Sequence, residues 1–135
     1  MRTLKTKQLA FEAGQYVSSH PTCGFLHGHT YLIKNLEIEV DDNAFLDFGF
    51  IKEVIKEEFD HLLFVPIKHE KFWHEVAEKA MKELGDELKF KLQVIVGEVT
   101  VENLSDRLKT SLSCLRGVKS VHFELYEGLN QGVKV

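Results

Sequence analysis

With 135 residues, 15.5 kDa and 44% apolar content, the chain is sized for one domain, residues 1–135, around one core. A net charge of -4 without a dense Lys/Arg run argues against nucleic acid as a partner, and the lack of a signal-like start or of a bilayer-length apolar stretch argues against secretion and membrane insertion. Two cysteines, Cys23 and Cys114, are too few for a disulfide scaffold, so the expectation is a cytoplasmic protein with free thiols.

From the N-terminus, two strands are expected around a polar loop. The first ends near Gln15 and the second runs to Val40, with Leu36, Ile38 and Val40 alternating against charged residues. Asp41-Asp42-Asn43 then supplies turn chemistry. Phe48, Ile51, Ile55 and Phe59 recur at three or four residues, which predicts a helix that delivers Asp60 and His61 at its end. A second helix is expected over 69–84, with Phe72, Val76, Ala80 and Leu84 on one stripe and Gly85 as its stop. A strand at 90–96 follows. Thr100 is placed to cap a third helix whose Val101, Leu104, Leu108, Leu112 and Leu115 line one side, with Gly117 at its end. Val121, Phe123 and Leu125 alternate through a last strand over 118–126. This order of elements fits an α+β fold with an antiparallel sheet.

The densest chemistry lies in His20-Pro-Thr-Cys23-Gly-Phe-Leu-His27-Gly-His29. His27 and His29 are two apart, so on a strand both imidazoles project to one face and can reach one ion, with Gly28 pointing away. Zn2+ suits imidazole donors, and a catalytic zinc site needs only three protein ligands. An isolated His-x-His pair is usually two surface histidines; the thiol nearby changes the balance. Cys23 is readable as a third ligand, as a nucleophile or base beside the ion, or as a buried free cysteine. Asp60-His61 offers a carboxylate that orients a proton-carrying imidazole, or equally a histidine complementing a helix C-terminus. Glu127 follows an alternating strand and precedes Gly128, where a carboxylate can take paired hydrogen bonds from an amidine; alone it would be a surface glutamate.

Together these segments resemble the 6-pyruvoyltetrahydropterin and 6-carboxytetrahydropterin synthases. Phe11-Glu-Ala-Gly-Gln15 is similar to the family's opening strand, Cys23-x-x-x-His27-Gly-His29 to its cysteine and zinc motif, and Leu46-Asp47-Phe48 to its first helix start. Phe59-Asp60-His61-Leu62 resembles its Asp-His pair, Thr100-Val-Glu102-Asn103-Leu104 its Thr-x-Glu-Asn-Leu helix start, and Tyr126-Glu127 its ring-anchoring glutamate. The three-residue gap between Cys23 and His27 is similar to the carboxy-type members. The resemblance implies a T-fold in which several copies, as a homohexamer, close a barrel with pockets at their interfaces. It further implies Zn2+ on His27 and His29, proton transfer by Cys23 with Asp60 and His61, and a reduced pterin triphosphate bound by Glu127, Thr100 and Glu102. The implied reaction is a lyase reaction on 7,8-dihydroneopterin triphosphate giving 6-carboxytetrahydropterin or 6-pyruvoyltetrahydropterin. An aldolase-type cleavage of dihydroneopterin and a non-catalytic pterin- or metal-binding paralogue are the alternatives. Two departures stand out. Gln15 occupies the place of the family's third zinc histidine, so the third ligand lies between Gln15 and His20, and the segment at about 65–98 is enlarged.

Overall fold

Two long strands from the first forty residues form the centre of the sheet. In the computed structural model, which describes residues 1–135, β1 (Arg2–Gln15) and β2 (His27–Val40) pair antiparallel over their whole length, from Arg2 opposite Val40 to Gln15 opposite His27. Alternation puts Phe11, Ala13 and Gln15 of β1 and His27, His29, Tyr31 and Ile33 of β2 on one face. The pairing of β2 with β5 (Val118–Glu127) shifts register between Lys34 and Glu37, where Asn35 takes a left-handed φ of 53°. This irregularity lets Leu36, Ile38 and Val40 keep the buried face after Ile33.

That face is covered by two helices. α1 (Phe48–Glu58) is capped by Asp47, whose carboxylate accepts from the Phe50 N–H, and it buries Ile51 and Ile55. Phe48, expected on the same stripe, stays at the exposed rim. α3 (Val101–Ser113) is capped by the Thr100 hydroxyl, which accepts from the Asn103 N–H, and it buries Leu104, Leu108 and Leu112. Between helices and sheet, Phe11 stacks on Tyr31 with ring centroids 5.0 Å apart, and Phe59 and Phe64 close the aromatic group. α3 stops at Ser113, short of Gly117. The glycine turns the chain into β5 at φ 87°, where a Cβ would come within 2.2 Å of that of Ala44.

The strand order is β4-β3-β1-β2-β5-β6, with β3 at Leu62–Pro66, β4 at Lys91–Ile95 and β6 at Gln131–Lys134. The α+β expectation holds, and β1, β2 and β5 are antiparallel as expected, with β6 an additional antiparallel strand at the edge. β3 and β4, however, join in parallel, so the sheet is mixed. α2 (Glu70–Leu84) connects them and lies outside the main core. Its half-buried side is Trp73, Val76, Ala77 and Ala80, which corrects the expected stripe, since Phe72 and Leu84 are exposed. The long segment at 65–98 therefore holds α2 and β4 and widens the sheet beyond β3.

Candidate active site

The first residues of β2 and the last of β5 meet on the helix-covered face. Tyr31 is the register partner of Glu127, which brings this carboxylate beside His29, two residues back on β2. The His29 Nε2 lies 2.6 Å from Glu127 Oε1 and 2.9 Å from His27 Nε2, with the two imidazole planes at 88°. The His27 Nδ1–H donates to the Phe25 carbonyl at 2.6 Å, which assigns the tautomer that leaves the Nε2 lone pair facing His29. His27, His29 and Glu127 thus hold donor atoms within 4.8 Å of one another. One N–H among two imidazole nitrogens and an acceptor-only carboxylate leaves lone pairs crowded on one point, and a divalent cation resolves that crowding. This nitrogen-rich donor set fits zinc among the common divalent ions.

Gln15 and Tyr31 sit beneath this cluster. Gln15 is 2% exposed and lies opposite His27 in register, and its Oε1 accepts a hydrogen bond from the Tyr31 hydroxyl. Burial, and then the charge of Glu127, hold the Tyr31 phenol far above its ordinary pKa, so it is a neutral donor throughout the range in which proteins fold. No motif marks Tyr31 as a site residue; only the strand register exposes it. His20 is elsewhere. Its Nδ1 accepts the backbone N–H groups of Thr22 and Cys23 and shapes the tip of the β1–β2 loop. Cys23 is half-buried in that loop, outside the His27–His29–Glu127 group. The loop is closed on itself by the Val17 N–H to the Cys23 carbonyl at 2.7 Å and by the Gly24 N–H to the His20 carbonyl at 3.0 Å. A Cβ at Gly24 would come within 2.5 Å of the His20 oxygen, so the tight turn needs glycine.

Asp60 and His61 meet each other. His61 has a left-handed φ of 59° just past α1, and its Nδ1 is 3.0 Å from Asp60 Oδ2, a contact that neighbours in extended backbone do not make. The Glu12 N–H donates to Asp60 Oδ1 at 2.9 Å, and the His61 N–H donates to the Glu12 carbonyl. Burial pushes the Asp60 carboxyl up, but the Glu12 amide, the hydrogen bond and charge of His61, and Lys56 outweigh it and hold the carboxyl below its usual range. The imidazole faces Glu12, on the β1 positions that alternate with the buried Phe11 and Ala13, so the pair and the histidine cluster approach the strand ends from opposite faces. An open cavity of about 580 Å³ runs around those ends and is lined by Glu12, His27, Gly28, His29, Thr30 and His61 among others. Thr100 and Glu102 are not part of its lining: the Thr100 hydroxyl caps α3, and Glu102 is exposed in the first turn.

The sequence pattern of the 6-pyruvoyl tetrahydropterin synthase family matches residues 5–135. The chain belongs to this family. Its members are tetrahydropterin synthases, enzymes of the lyase class, and that class now frames the cluster. A Methanocaldococcus jannaschii protein described as a candidate 6-carboxy-5,6,7,8-tetrahydropterin synthase is 30% identical over 144 residues, covering 92% of this chain and 87% of the relative. The fold is shared with the 6-pyruvoyl tetrahydropterin synthase of Plasmodium vivax, at 13% identity and a TM-score of 0.57, over 100% of this chain and 98% of that one. The Plasmodium falciparum enzyme aligns over 98% and 96%, at 14% identity and a TM-score of 0.56.

Proposed function

We propose that this member of the tetrahydropterin synthase family is a zinc-dependent lyase acting on 7,8-dihydroneopterin triphosphate and forming 6-carboxytetrahydropterin. The observation that carries the reading is the convergence of His27, His29 and Glu127. The archaeal relative, described as a carboxy-type synthase, supports the choice of product.

His27 and His29 hold the metal, and Gln15 supplies the third protein donor. Gln15 is favoured over His20 because it is buried beside His27, and its carbonyl oxygen keeps a second lone pair after accepting from Tyr31. When bound, zinc supplies Lewis-acid polarisation of substrate hydroxyls, which makes side-chain protons easier to remove. The carboxylate of Glu127 takes the N–H pair of the pterin amidine and fixes the ring. Cys23, as thiolate, removes the side-chain proton. His61, oriented by Asp60, receives and returns protons. Elimination of triphosphate follows, and with uptake of one water the bond between the first two side-chain carbons breaks. The first carbon stays as the carboxyl and the other two leave as acetaldehyde, while the ring and the terminal carbon take up the electrons that the first two carbons lose. Because the Asp60–His61 pair and the histidine cluster lie on opposite faces of β1 and β2, a working site is completed between copies, in a homohexamer of the family's T-fold type.

A second reading of one residue rests on the 2.6 Å contact of Glu127 with His29: Glu127 is then itself the third metal ligand. Gln15→Leu and Glu127→Gln separate the two. The first reading predicts that Gln15→Leu lowers zinc affinity while Glu127→Gln lowers pterin affinity; zinc lost only from Glu127→Gln would transfer the ligand role to the carboxylate. For the function itself, His29→Ala is expected to lose both bound zinc and turnover. Retention of full turnover without metal in that variant would overturn the proposal.

A further inference from the structure

The β1–β2 loop that carries Cys23 leans on residues far along the chain. Tyr16, the first residue after β1, accepts the Trp73 Nε1–H at 2.7 Å, and its hydroxyl lies 2.8 Å from His69 Nδ1. Since the indole can only donate, the hydroxyl proton goes to His69 Nδ1, and three side chains share one directed chain of hydrogen bonds. The Tyr16 and His69 rings are nearly parallel at 11°, with centroids 5.9 Å apart. Two residues on, the Ser18 N–H donates to Glu98 Oε2 at 2.9 Å, while Glu98 Oε1 pairs with Lys68 Nζ at 2.7 Å. The Glu98 carbonyl also accepts from the Asn103 side chain at 2.7 Å, which ties this point to the start of α3. Lys68, His69, Trp73 and Glu98 all come from the long segment between His61 and Thr100, whose α2 buries nothing in the main core.

We infer that this segment is a brace for the Cys23 loop: Trp73 and His69 through Tyr16, and Glu98 through Ser18, are positioning residues that fix where the thiol stands. The catalytic consequence rests on the role given to Cys23 above; the brace itself does not. The loop's internal hydrogen bonds, Val17 to Cys23 and Gly24 to His20, give it a shape but do not attach it to the domain. Attachment comes from Tyr16 and Ser18, so the thiol inherits its position from α2 and Glu98.

The test uses the full chain in a Cys114→Ser background, with Tyr16→Phe, Trp73→Phe and Glu98→Gln compared with the control Lys79→Ala, whose ion pair with Glu83 is exposed. Amide hydrogen exchange at 17–24 and the rate of Cys23 alkylation by iodoacetamide are read alongside steady-state kinetics. Expected are a two- to tenfold rise in exchange at 17–24 in Tyr16→Phe and Trp73→Phe, about the factor one net hydrogen bond supplies, with a changed alkylation rate and metal content as in wild type. For the reaction, kcat falls by about the same factor while KM stays within about twofold. Unchanged exchange and alkylation in both aromatic variants would overturn the brace. Faster exchange with unchanged kcat would keep the brace and count against Cys23 as the proton-transferring group. Because Tyr16→Phe keeps ring and volume and Trp73→Phe keeps an aromatic ring, a global loss of structure in both would show that these bonds hold the fold and not the loop, and would also overturn the inference.

Discussion

At the scale of single residues, the site is two imidazoles that lack enough protons for their partners. His27 gives its Nδ1 proton to the Phe25 carbonyl, so its inward nitrogen accepts, and His29 faces both that nitrogen and Glu127. Gln15 stands beside them as a neutral amide, a weaker donor to zinc than a third imidazole. Gln15→His is therefore expected to raise zinc affinity by at least about tenfold in a competition titration with a chelator, the scale of a changed ligand environment; unchanged affinity would remove residue 15 from the metal's surroundings. Cys23→Ala is expected to abolish turnover and leave pterin binding within about twofold, measured by ligand titration of the metal-loaded protein. The Asp60 carboxyl carries a pH prediction. Its folded pKa is depressed, so the stability it contributes is fully present above the unfolded carboxyl value of about 3.9 and is lost as pH falls through the lower folded value. Asp60→Asn should flatten the acid limb of the melting-temperature profile below about pH 4, and an unchanged limb would contradict the pairing with Glu12 and His61. The pattern His-Gly-His, the Asp-His pair and Glu127 were legible as residues because each is a short motif. Tyr31, Glu12 and the tautomer of His27 were not, since they depend on which strand positions face each other.

At the scale of elements, the helices were readable where a cap and a stripe coincide. Asp47 and Thr100 both accept from the N–H three residues on, and α1 and α3 follow with Ile51, Ile55, Leu104, Leu108 and Leu112 in the core. Leu108→Ala should cost about 2–5 kcal/mol in denaturant unfolding, because it removes a fully buried side chain from the centre of α3; a cost below about 1 kcal/mol would mean that α3 is not packed there. Three features escaped the pattern. β3 is an unbroken apolar run of five residues, which periodicity does not separate from a buried helix segment, and β6 is too short to show alternation. α2 misled the stripe reading because it packs at the sheet edge, where Trp73, Val76, Ala77 and Ala80 are only half-buried and Phe72 remains outside. An amphipathic pattern identifies a helix more firmly than it identifies which of its residues touch the domain.

At the scale of the whole molecule, the mixed six-stranded sheet with two covering helices is the fold of the tetrahydropterin synthases, and it leaves the histidine cluster and the Asp60–His61 pair on opposite sides of the same two strands. In the proposed assembly, a site shared between two copies would let one reaction use both. Mixing His29→Ala and His61→Ala chains, each inactive alone, in equal amounts during refolding should restore about a quarter of wild-type activity, because random assembly pairs an intact cluster with an intact imidazole at about that frequency. No recovery would place both groups in one chain's site. Lyase activity on a reduced pterin triphosphate is decided by incubating the zinc-loaded protein with 7,8-dihydroneopterin triphosphate and determining the masses of the products. The expected product has the mass of 6-carboxytetrahydropterin, with triphosphate released, and is lost in Cys23→Ala; substrate recovered unchanged by the zinc-loaded wild-type chain would overturn the proposed function.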